Sequence, residues 1–362
     1  MLLLVATIFT FVSCKKKKDD DADDFVWNPY PYENLGDFIS LPDYKNFTIS
    51  QAFIERQINM ILASLFEEKN IYVDVTEDRE VREWDFVKLE FISIVVGDTT
   101  VFPEPDNGEG NDEEEEEKSS VSFPVGTGVA LSYLEEGVVG MKRGEEKEIT
   151  FTYAADYTAN PDFAGKNAVY KFKLAEHKEP PVLDDDLCYR YTNYVNPEIM
   201  HDMLEQEIIY SELWKFIFDG AVLKSRPEKE YNDYYNEFVG ILKDYAKSNN
   251  KTLEEYVTTE GENFPSMGLY EGITMDEFYK LAESYADEHL KNDLILYYLV
   301  RLEDLKTSGP LYEAAQRELL LSYGIGYTID SLIQQHGRTE IVTSIMDIQV
   351  RKQVLKYVTK TA

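Results

Sequence analysis

Residues 121–174 constrain the fold of this chain more than any other stretch of comparable length. An apolar strand signal runs into the turn Gly126-Thr127-Gly128, and a short amphipathic piece follows. Next come Glu135-Glu136-Gly137 and Gly140-Met141-Lys142-Arg143-Gly144-Glu145. Residues 147–153 and 167–174 each alternate apolar with polar side chains, the pattern of a strand with one buried face. Between them lies a turn segment carrying Asp156, Tyr157, Pro161 and Gly165. Strands joined through glycine turns, with one short helix between them, specify an α+β unit built on an antiparallel sheet.

The remaining composition bounds the function. A chain of 362 residues holds two or three domains, and 43% hydrophobic residues supply cores for them. Acidic residues outnumber basic ones 69 to 36, giving a formal charge of -33, which repels phosphate backbones and excludes nucleic acid as a partner. The acidic runs at 19–24 and 113–117 read as solvated segments. The two cysteines, Cys14 and Cys188, form neither a zinc-ligand spacing nor a C-x-x-C pair.

Residues 2–12 are apolar apart from two threonines. A spanning helix needs ~20 residues, so this run suits the core of an export signal instead. Val12-Ser13-Cys14 follows and resembles a bacterial lipobox, which implies cleavage before Cys14 and lipid attachment there. Four lysines at 15–18 and an aspartate-rich stretch cannot bury a core, so residues 15–34 are expected to form a flexible tether. Two acyl chains anchor stably, at ~0.8 kcal/mol per buried methylene. The expected location is the cell envelope, on the outer face of the cytoplasmic membrane, with the outer membrane as the alternative.

Residues 35–80 read as an extended segment and a helix opening at Ser50-Gln51, with Phe53, Ile54, Ile58, Ile61 and Leu62 at helical spacing. Residues 81–179 hold the sheet unit, with strand signals at 86–96 and 99–102 and an acidic, unpatterned insertion at 103–120. Residues 180–362 read as helical. Asn196-Pro197 opens one helix to about residue 222, Pro227 another to 248, and Thr252 a short one. Thr274-Met275-Asp276-Glu277 is a capping-box pattern ahead of a helix to about 306, and helices follow at 311–322, 328–335 and 340–359.

The 121–174 order resembles the FKBP-type peptidyl-prolyl isomerase domain, most closely the version inside trigger factor, a bacterial folding chaperone. The lead-in helix and strand, the exit at Glu179-Pro180-Pro181 and the helices after it are similar to the same family. The resemblance implies an FKBP-like half-barrel around a short helix, then an all-α domain with helical arms that cradle clients. No Gly-Phe-Arg-x-Gly-x-x-Pro sequence occurs, and residues before 35 leave no room for a ribosome-docking domain, so no ribosome partner is expected. Clients would be unfolded or proline-containing polypeptides.

Twisting an X-Pro amide crosses a barrier of ~18–20 kcal/mol. Catalysis needs a dry apolar notch and a hydrogen-bond donor, with no metal, cofactor or proton shuttle. Carried over by position, the catalytic pocket residues would be Phe91, Phe102, Leu131, Leu134 and Tyr170, with the Leu131 N–H as donor. Val121, Phe123, Val129, Ala130 and Tyr157 would contact substrate around them. This chain departs from the family at Leu134, where Trp or Phe is usual, at Tyr133 in place of Gly, at Pro103 in place of Asp, and at Ala159 in place of a loop tyrosine. Each lost ring removes on the order of 1 kcal/mol of packing on proline. A holdase with a degenerate pocket is therefore the alternative. The ten tyrosines between Tyr231 and Tyr298 suit such a role, since each offers apolar area with a polar tip.

Overall fold

A computed structural model describes residues 26–102, 120–192 and 194–362. The signal-like run, Cys14, the lysine and aspartate runs, and insertion residues 103–119 lie outside the described residues. The fold is mixed α+β, and its contacts divide it into two compact units. One is Ser50–Ile208; the other joins the described residues up to Ile49 with Ile209–Thr361. These limits differ from the sequence reading, which divided the chain at 80/81 and 179/180.

The first unit opens with α1 (Gln51–Glu68), capped by the Ser50 hydroxyl accepting from the Phe53 N–H, with Ile54, Ile58, Leu65 and Phe66 on its buried face. Six strands follow as one antiparallel sheet: β1 (Val73–Asp74), β2 (Phe86–Val96), β3 (Thr99–Phe102), β4 (Ser120–Pro124), β5 (Glu146–Thr152) and β6 (Asn167–Glu179). The long pair β2 and β6 forms the centre. β4 pairs the first half of β2 and β3 its last residues. β5 pairs the first half of β6, and β1 pairs its end. Helix α2 (Ser132–Val138) lies between β4 and β5 in sequence and turns Leu134 and Val138 into the sheet's core with Phe123, Phe172 and Leu174.

Two bulges decide which side chains face that core. Leu89 pairs with Leu174 but Lys88 with Glu176, so Ala175 is an extra residue on β6. Alternation keeps Ala168, Tyr170, Phe172 and Leu174 inside, and the bulge then brings His177 inward rather than Glu176. Ile92 is the extra residue on β2 and re-phases that strand, so Ile94 and Val96 follow Phe91 toward the core. After the sheet, α3 (Asp185–Tyr191) is capped by the Asp184 carboxylate, and α4 (Pro197–Gly220) begins where the Asn196 side chain accepts from the Ile199 N–H. After the sheet, the sequence reading places its first helix at α4 and passes over α3, whose seven residues are too few to display a helical period.

In the second unit the helices are α5 (Glu228–Ser248), α6 (Leu253–Glu260), α7 (Met275–Leu302), α8 (Pro310–Tyr323), α9 (Ile329–His336) and α10 (Arg338–Val354). Reciprocal capping boxes start α6 at Thr252 with Glu255 and α7 at Thr274 with Glu277. The last helix stops at Val354, short of residue 359, and Thr359–Thr361 is extended. The main core packs Leu290, Leu294, Ile295 and Leu299 of α7 against Leu213, Ile217, Met346 and Val350, with Leu35, Ile39 and Tyr44 sealing it. Ile39–Ser40 pairs with Val222–Leu223 as a two-stranded ribbon.

Asp293 sits inside this core and accepts from the Tyr30 and Tyr234 hydroxyls. Burial pushes its carboxyl up to about 6, against the two phenols, which pull it down. A raised carboxyl favours folding only while protonated, so this contribution is full below the unfolded value near 4 and is lost as pH rises to 6. The change amounts to about 3 kcal/mol. Urea unfolding followed by the fluorescence of Trp27 and Trp214 is expected to show the midpoint falling across that window, and Asp293→Asn to reduce the fall to the part owed to Asp347, whose carboxyl burial also pushes up to about 6.

Candidate functional site

The turn after β4 is set by glycine geometry and one buried carboxylate. Gly126 and Gly128 have φ of 91° and 75°, where a side chain is strained. A Cβ on Gly126 would also lie 2.7 Å from Glu83 Cγ. Arg56 of α1 donates to the Gly126 carbonyl at 3.1 Å while pairing with Glu83 at 2.9 Å. Glu135, the first acid of α2, is buried and turned back under this loop. Its Oε2 accepts from the Gly126 N–H (2.8 Å) and Gly128 N–H (3.2 Å), and its Oε1 from the Ala130 N–H (3.0 Å). Three donors on one carboxylate fix the loop's path. The next N–H, that of Leu131, has no hydrogen-bond partner among the described residues, while the Leu131 carbonyl starts α2 by accepting from Leu134 and Glu135.

Beside this loop an aromatic cluster spans three strands. Phe91 of β2 meets Tyr170 of β6 edge-on at 5.7 Å between centroids, and Phe151 of β5 lies 5.3 Å from Tyr170. Tyr153 packs on Phe151, Tyr157 and Phe163 at 5.1, 4.7 and 5.4 Å. The Tyr153 and Tyr170 hydroxyls are 2.7 Å apart. Burial raises both phenols above their ordinary range, so both stay protonated at neutral pH. Their shared bond uses one phenol hydrogen and leaves the other for a carbonyl acceptor.

The sequence-derived residues are placed unevenly. Phe91, Val121, Ala130, Leu131 and Tyr157 are half-buried and pack against the sheet core, and Tyr170 and Leu134 are buried in it. Phe123 is wholly buried, with 0% exposure, so it supports the core and offers no surface to a ligand. Val129 stands at the loop tip, 67% exposed. Phe102 is half-buried at the end of β3 opposite Ile94. Sequence reasoning passed over Phe151, Tyr153 and Phe163. The alternation Ile149, Phe151, Tyr153 along β5 and the residue just after it was the signal for the first two. Tyr133, where the family carries glycine, stacks flat on Phe151 at 4.2 Å and covers that ring.

Comparisons with known proteins place these residues among relatives. Residues 77–175 match the family model of the FKBP-type peptidyl-prolyl cis-trans isomerase. The chain is 25% identical to the trigger factor of Macrococcus caseolyticus over 88% of its own length and 71% of that protein's. It is 30% identical to the trigger factor of Halothermothrix orenii over 75% of its length and 60% of the relative's. It is 26% identical to that of Caldicellulosiruptor saccharolyticus over 79% and 62%. The chain thus spans roughly two thirds of these relatives. A solved structure of the trigger factor chaperone, concerned with promiscuous substrate recognition in folding and assembly, covers 88% of this chain and 72% of its own at 15% identity, with a TM-score of 0.31. The chain is trigger factor-like and carries an FKBP-type isomerase domain.

Proposed function

We propose that this chain is an exported folding factor that accelerates prolyl cis/trans exchange in unfolded clients and shields them in its helical unit. The observation that carries the reading is the Leu131 N–H, which has no hydrogen-bond partner among the described residues and is held by the Glu135-braced loop beside a core that includes Phe91, Phe151, Tyr153 and Tyr170. A twisted prolyl carbonyl needs one such fixed donor beside apolar rings. The alternative is a holdase without turnover, favoured by Tyr133 lying over Phe151 and by the half-exposed rings of Tyr245, Tyr270 and Tyr279 in the helical unit. Proline-limited refolding of a model client with the full chain separates the two. The first reading predicts a faster slow phase, the second only suppressed aggregation.

Export and anchoring are part of the proposal. The apolar run at 2–12 and Val12-Ser13-Cys14 support lipid attachment at Cys14 and residence on the outer face of a cytoplasmic membrane, with the outer membrane as the other destination, and neither place brings the chain to a ribosome. Expressed in bacteria and fractionated, the wild-type chain is expected in the detergent-soluble membrane fraction. Cys14→Ser is expected to shift most of it out of that fraction or leave it unprocessed. Equal membrane retention of both would remove the lipid from the account.

A further inference from the structure

Residues 26–32, Val-Trp-Asn-Pro-Tyr-Pro-Tyr, lie as a strap along α7 in the second unit. Its attachments come from four separate side chains. The Trp27 indole donates to Thr343 Oγ1 at 3.0 Å, Tyr30 to Asp293 at 3.0 Å and Tyr32 to Glu230 at 2.6 Å. Arg301 donates to the backbone carbonyls of Tyr30, at 2.6 Å, and of Tyr32. Tyr297 receives both strap rings, Trp27 at 5.4 Å and Tyr30 at 4.7 Å. A cavity of about 240 Å³ opens alongside, between Trp27, Pro29, Tyr297, Leu305 and Lys306.

We propose that this groove on α7 is a polypeptide-binding site for extended aromatic- and proline-containing segments, and that the strap occupies it as a displaceable internal ligand. Two of the bonds that hold the strap go to main-chain carbonyls, which any peptide carries. Pro29 and Pro31 have no N–H to leave unsatisfied against a helical surface. The strap's leading residue, Val26, is 81% exposed, so displacement can start from that end. Asp293 Oδ1 is buried without a hydrogen-bond partner among the described residues. The groups facing this carboxyl are Tyr30 from the strap, Tyr234 from α5 and Tyr297 on α7. The His289 ring lies tilted against Tyr234, Asp347 of α10 acts on Tyr297, and Arg351 acts on Asp347. No cation is among the groups that shift the Asp293 carboxyl. An ionised Asp293 is thus poorly compensated under a docked strap, and release rehydrates it.

This inference rests on the folding-factor reading only in calling the displacing peptide a client segment. The test uses the full-length chain and a fluorescein-labelled peptide of strap sequence, Trp-Asn-Pro-Tyr-Pro-Tyr, with a Gly-Ser peptide of equal length as control. While the strap is docked, apparent affinity falls by the fraction of open groove. Trp27→Ala, and independently Tyr30→Phe, which keeps its ring in the core, are expected to bind the strap peptide about tenfold or more tighter than wild type. Adding Arg301→Ala to either is expected to reverse the gain, and the Gly-Ser peptide to stay unbound. Circular dichroism checks that each variant is folded. Equal affinity for wild type and both strap variants, or no effect of Arg301→Ala, would overturn the proposal. Prolyl exchange and aggregation suppression measured on the same samples report on the folding reading separately, so either can fail while peptide binding stands.

Discussion

Arg79→Ala is expected to destabilise the sheet unit by about 3–5 kcal/mol, the cost of leaving a buried charge without its partner. Asp85 is 2% exposed and has four attachments. Arg79 grips it with two nitrogens at 2.6 and 2.9 Å, the Arg82 N–H donates at 2.9 Å, and His177 Nε2 lies at 2.8 Å. Arg79 also reaches Glu179 at the end of β6, so the cluster ties the segment before β2 to that strand. Burial pushes the Asp85 carboxyl up, but the bonds from Arg79, His177 and Arg82 outweigh it and hold the carboxyl below its ordinary value. A depressed carboxyl stabilises the fold above its unfolded value near 4, and that contribution is lost as pH falls through the lower folded value. Urea titration at neutral pH checks the size of the loss. A change under about 1 kcal/mol, the range of a surface ion pair, would mean that the cluster is solvated.

Glu135→Ala is expected to have the second largest effect, and to join stability to activity. It strands the N–H groups of Gly126, Gly128 and Ala130 together. Unsatisfied buried donors cost about 1–3 kcal/mol each, and water can reach part of this loop, so a total of about 2–4 kcal/mol is expected. The loop then no longer fixes the Leu131 N–H, and misplacing a donor by an ångström can cost a hundredfold in rate. Glu135→Gln retains one accepting oxygen and should fall between wild type and alanine in both readouts. Denaturation midpoints together with prolyl exchange rates check this. Full activity in Glu135→Ala would show that the loop needs no brace.

Much of the fold is legible in the residues. The capping boxes at Thr252 and Thr274 mark helix starts because their bonds are local, and the alternation in 167–174 marks β6 because one face is buried. What the sequence hides is register. Nothing in Phe91-Ile92-Ser93 announces that Ile92 is the extra residue, and nothing near Ala175 announces that His177 turns inward to Asp85. Both follow from pairing with a strand about 80 residues away along the chain. Asp293 and Tyr30 have the same difficulty, being partners separated by most of the chain. In the candidate site the resemblance drew attention to Phe91, Leu131 and Tyr170. The brace at Glu135 and the Phe151–Tyr153 wall needed three-dimensional packing to appear.

The measurement closest to the central claim is the rate of prolyl cis/trans exchange in a short peptide, with the wild-type chain and with Leu131→Pro. Leu131 has φ of -57°, already within proline's range, so the substitution removes the N–H at little backbone cost. The account predicts acceleration by the wild type and loss of about tenfold or more of it in Leu131→Pro, with circular dichroism unchanged. No acceleration by the wild type, or equal acceleration by both, would contradict it.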